Sequence, residues 1–75
     1  MIITFHQLTE ALSFEKYCKQ NDVKVRLIPV PRAISSSCGL SAKLDDIENI
    51  KDKLEQEDIE YDEIYLEKNG LYEKI

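Results

Sequence analysis

The hydrophobic period of this chain switches repeatedly between two and about 3.6 residues, and that alternation restricts the fold more than any other feature. Ile2 to His6 is a short β-branched and aromatic run, which reads as a strand. Thr9 then stands as an N-cap, with Glu10 in the first turn where a carboxylate suits the helix dipole. Leu8, Ala11, Phe14 and Cys18 recur at helical spacing, flanked by Leu12 and Tyr17, and Asn21-Asp22 ends the helix. Val23, Val25 and Leu27 alternate with Lys24, Arg26 and Ile28 as a second strand, which Pro29 and Pro31 close because proline cannot donate to a ladder. Leu40, Ala42 and Leu44 alternate with Ser41 and Lys43 as a third.

The second half repeats the pattern. Asp45 and Glu48 stand as a capping box for a helix whose apolar face is Ile47, Ile50 and Leu54, ending near Asp58. Tyr61 to Leu66 reads as a fourth strand. Asn69-Gly70 is a strong two-residue turn signal, so Leu71 to Ile75 returns as a short fifth strand. The order strand, helix, strand, strand, helix, strand predicts an α+β, ferredoxin-like βαββαβ sandwich: a mostly antiparallel sheet with two helices on one face.

Length and composition narrow the function. Seventy-five residues predict one small α+β domain over 1–75, with a thin core. No apolar run approaches the roughly 20 residues of a membrane span, and the start of the chain lacks the features of a signal peptide. The expected compartment is the cytoplasm, where both cysteines stay reduced. They lie twenty positions apart, and there is one histidine, so no metal site is expected.

The net charge of −5 is unevenly spread. Residues 1–22 carry −1, residues 23–43 carry +4 with no acidic residue at all, and residues 44–75 carry −8. The acidic total argues against a nucleic-acid partner. The basic middle suits a small anion or an acidic protein patch.

That basic stretch also holds the candidate chemistry, in the segment Ile28-Pro29-Val30-Pro31-Arg32-Ala33-Ile34-Ser35-Ser36-Ser37-Cys38-Gly39. A thiol in a basic, partly exposed loop favours the reactive thiolate. In the expected topology the first strand ends where the third begins. Cys38, His6, Arg32 and the start of the first helix therefore share one end of the sheet. Cys38 is the candidate nucleophile and His6 its candidate proton acceptor. Arg32, Ser36, Ser37 and Gly39 are the candidate anion- or partner-binding groups, since hydroxyls and loop amides bind anions and glycine admits a partner's backbone. Structural roles also suit several of these residues. Cys38 shares strand parity with Leu40 and Ala42 and suits a small buried residue, and Arg32 suits a solvated charge. Cys18 reads as core filler, Glu15 as the edge of the helix face, and Glu55 to Glu63 as a solvated helix end.

Phe5, the Ala11…Glu15 spacing, the Pro31-Arg32 pair and the Ser37-Cys38-Gly39 triplet resemble the small bacterial domains called putative Se/S carrier protein-like, over about Phe5 to Leu44. The resemblance implies a sulfur or selenium carrier that holds a persulfide or selenosulfide on its cysteine. Such a protein takes cargo from a donor enzyme such as a cysteine desulfurase and passes it to an acceptor protein. It needs no cofactor, because the adduct is the cargo, and it is a carrier rather than a turnover enzyme. Cys18 and the acidic second half match no motif of that kind. The alternative is a non-catalytic adaptor or regulatory domain that binds a protein through its sheet or acidic helix. A Cys-His hydrolase is disfavoured by the small size and the missing third triad member. A free sheet edge on so small a domain also offers a homodimer surface.

Overall fold

The computed structural model describes residues 1–34 and 38–75. In chain order the elements are β1 (Ile2–Thr4), α1 (Leu8–Gln20), β2 (Val25–Pro29), β3 (Leu40–Leu44), α2 (Ile50–Gln56), β4 (Glu63–Lys68) and β5 (Leu71–Lys74). The sheet order is β2-β3-β1-β4-β5, and every neighbouring pair is antiparallel. This is the α+β, ferredoxin-like arrangement predicted from the hydrophobic periods, with β5 added as a hairpin on β4.

β1 is the central strand, and its three residues are buried on both faces. Ile3 sits opposite Ala42 on one side and Ile64 on the other, and all three belong to the core with Phe5, Ala11, Phe14, Cys18, Leu44, Ile50 and Leu54. Phe14 joins helix to strand, its ring 5.9 Å from that of Phe5 and 6.4 Å from that of Tyr17. Burying an aromatic or leucine side chain of this kind contributes about 1.5–3 kcal/mol. Alternation sends Ile2, Thr4, Ser41 and Lys43 to the opposite face, with Arg26 opposite Lys43 on β2.

Several sequence-based boundaries move, for identifiable reasons. α1 begins at Leu8 with Gln7, not Thr9, as its N-cap. The start is set by Glu10, whose Oε1 accepts the backbone N–H of His6 at 2.8 Å, so Thr9 falls inside the first turn. Ala11, Phe14 and Cys18 face the core as predicted, but Leu8 and Leu12 are each about half exposed. α2 begins at Ile50 rather than after an Asp45–Glu48 capping box. Asn49 takes the left-handed region (φ 56°), which asparagine tolerates better than most residues, and the chain turns into the helix there. Ile47 packs on the core from the connection before it.

β1 stops at Thr4, β2 begins at Val25 and β4 begins at Glu63, each a trimmed or shifted version of its predicted strand. Pro29 is a member of β2, paired with Leu40, which its edge position permits. The Asn69-Gly70 turn is as predicted, with φ of 53° and 79°, the positive pair that a type I′ hairpin turn requires. Among the described residues, no helix is long and apolar enough to cross a membrane.

Candidate functional site

The β2–β3 connection starts from a continuation of the ladder. The Val30 N–H donates to the Gly39 carbonyl at 3.1 Å, one pair beyond Pro29 and Leu40. A turn follows, in which the Ile34 N–H donates to the Pro31 carbonyl at 2.9 Å. Arg32 and Ala33 lie at its exposed centre, and Ile34 is buried, which anchors the loop to the body of the domain. Ser36 and Ser37, two of the predicted site residues, lie outside the described residues. Gly39 has φ +81°, a conformation that L side chains rarely adopt.

Cys38 precedes that glycine. It is half-buried and packs against the hydrophobic core while part of it faces solvent. Cys18 differs sharply. It is 1% exposed on the core face of α1. Burial, with a smaller contribution from the Glu15 carboxylate, pushes its thiol up to about 11. Cys18 is therefore a neutral core residue at physiological pH. Glu15 itself is half-buried at the edge of the helix face, 3.9 Å from Lys19 one turn on.

The register Thr4–Ser41 places the chain beyond β1 and the chain before β3 at one end of the sheet. His6 stands there, more than half exposed, and bridges two elements. Its Nδ1 lies 3.2 Å from Glu10 Oε1 on α1, and its Nε2 lies 3.3 Å from Asp62 Oδ1 at the entry to β4. The Asp62 N–H donates to the Thr4 carbonyl at 2.8 Å and fixes that entry. Burial pushes the Glu10 carboxyl up, but the His6 backbone N–H, a hydrogen bond with Glu60 and the charge of His6 outweigh it. The net effect holds Glu10 below the ordinary glutamate range.

The structure thus gathers His6, Glu10 and Asp62 into one bridge, and carries Arg32, Cys38 and Gly39 on the loop that leaves the same end of the sheet. Neither carboxylate stands out as a site residue in the sequence. The four-residue spacing from His6 to Glu10 was the available signal for one of them; Asp62 becomes a neighbour only through the β1–β4 register. Among the described residues, no group of three or more His, Cys, Asp and Glu side chains is placed to hold a metal ion.

Topology and site together define a small ferredoxin-like α+β domain with one core thiol and one half-buried thiol at a strand–loop junction. The family described as Putative Se/S carrier protein-like matches residues 1–66, and the chain belongs to that family. No curated protein and no solved structure matches it.

Proposed function

We propose that this protein carries sulfur or selenium as a persulfide or selenosulfide on Cys38. The observation that carries the reading is the contrast between the two thiols. Cys38 is partly open to solvent in a region that includes Arg32, whereas Cys18 is sealed in the core with a raised pKa. Membership of the family described as Putative Se/S carrier protein-like supports the same reading.

The transfer step balances without a cofactor. The Cys38 thiolate attacks the terminal sulfur or selenium of a persulfide or perselenide on the donor enzyme. The donor's bond to that atom breaks, and its electron pair leaves with the donor cysteine as thiolate. Cys38 gains the new bond, and no net oxidation occurs. Release to an acceptor is the same exchange with Cys38 as the leaving thiolate. Arg32 would lie near the transferred anion, and Gly39, with no Cβ, would let the donor's backbone come close. Ser36 and Ser37 would supply hydroxyls. His6 would take the thiol proton only by giving up one of its two carboxylate contacts. The partners in this reading are a donor enzyme and an acceptor protein in the cytoplasm.

The test is loading by a cysteine desulfurase plus cysteine. Cys38→Ala abolishes loading and Cys18→Ala retains it; equal loading of the two variants contradicts the proposal. The packing of Cys38 against the core favours a second reading, a protein-binding adaptor in which this residue is structural. Partner capture unchanged in Cys38→Ser, with no loading of the wild type, supports that reading.

A further inference from the structure

The register places Arg26 of β2 directly opposite Lys43 of β3, and both are exposed. Like charges directly opposite one another across two strands destabilise a sheet. Neither side chain has an ion-pair partner among the described residues, in a chain with fifteen acids. Lys74 shows the contrast, since it lies 3.1 Å from Glu63. Alternation puts Arg26 and Lys43 on the sheet face away from the core, because their neighbour Ala42 is a core residue. Lys24 extends the patch along a shallow groove whose other lining residues are Val25, Leu44 and a single acid, Asp45. The same hairpin carries Arg32 and Cys38 at its far end; Cys38 is five residues before Lys43, about 17 Å away by strand rise. The acids concentrate elsewhere, in residues 44–75.

We propose that the helix-free face of the β2–β3 hairpin, centred on Arg26 and Lys43, docks an acidic surface of the protein that exchanges cargo with Cys38. The second clause rests on the carrier reading above. The charge asymmetry of the chain turns this hairpin toward such a partner during approach, which also brings the Cys38 end round. A second copy of this chain is disfavoured as occupant, because two chains that each carry a net charge of −5 repel one another.

The test is a titration of the full chain with poly-L-glutamate, followed by amide NMR shifts and an affinity measurement. The shifts map to β2 and β3. Arg26→Glu weakens binding about tenfold and raises the thermal midpoint, because it replaces a repulsive pair with an attractive one. Lys51→Glu, which changes the net charge equally but sits on α2, changes binding far less. Equal weakening by both variants, shifts outside the hairpin, or a lower midpoint in Arg26→Glu overturns the proposal. Tighter binding of a single-stranded oligonucleotide of equal charge also overturns it, by assigning the face to nucleic acid. Chemical loading of Cys38 by a small-molecule persulfide donor stays unchanged in Arg26→Glu. Wild-type protein that binds poly-L-glutamate on this face but never loads sulfur overturns the carrier reading and leaves the acidic-surface site standing.

Discussion

The Val30 N–H donates to the Gly39 carbonyl at 3.1 Å, and this bond fixes where the candidate loop begins and ends. The strands stay paired up to the residue after Cys38, so that thiol sits at the end of a rigid ladder. Gly39 makes this possible by adopting φ +81°.

Replacing Gly39 therefore tests the ladder end. A Cβ at that position meets no heavy atom within 4 Å, so the cost is conformational rather than steric. Gly39→Ala lowers the unfolding free energy by about 1–2 kcal/mol, and Gly39→Asn, better suited to the left-handed region, lowers it less. Urea denaturation curves of the two variants measure the difference. Equal effects contradict the conformational account.

The Glu10 anchor gives a pH prediction with a definite sign. Its folded pKa is depressed, so its contribution is fully present above the ordinary glutamate range and disappears as pH falls through the folded value. Glu10→Gln keeps an acceptor for the His6 N–H but loses the charge, and so flattens the acid limb of the stability profile. Glu10→Ala loses the acceptor as well and costs about 1–2 kcal/mol near neutral pH. Denaturant midpoints between the acid limb and neutrality check both, and an unchanged acid limb in Glu10→Gln contradicts the assignment.

Cys18 and Cys38 should separate cleanly by alkylation. At pH 8 a small maleimide labels Cys38 and leaves Cys18 unreacted in the folded protein, because Cys18 is both buried and held in its neutral form. Its raised folded pKa also has a linkage consequence: the folded state retains that proton as pH rises through the unfolded value, so stability falls progressively toward pH 11. Peptide mapping of labelled protein settles the first point, and comparison with Cys18→Ala across alkaline pH settles the second. Faster labelling of Cys18 contradicts the account.

Much of the fold was legible because its signals are local. Alternation gave β3, the Asn69-Gly70 pair gave the β4–β5 turn, and the Ala11, Phe14, Cys18 spacing gave the buried face of α1. Cys18 read as core for the same reason. The misplaced helix starts come from local signals that compete with the expected caps. Thr9 has the right chemistry for an N-cap, but Glu10 reaches back to His6 and sets the start earlier. Asp45 and Glu48 have capping-box spacing, but the left-handed turn at Asn49 overrides it. Of the candidate site, the sequence placed His6 at the same end of the sheet as the loop through topology. It gave no sign that both imidazole nitrogens face carboxylates, because Asp62 lies far away along the chain.

The most direct test of the carrier account is the intact mass of protein purified without reductant, measured before and after treatment with a cysteine desulfurase and cysteine. The account predicts a reductant-labile gain of one or more sulfur atoms that maps to the Cys38 peptide. An unchanged mass, or a gain that maps to Cys18, contradicts it.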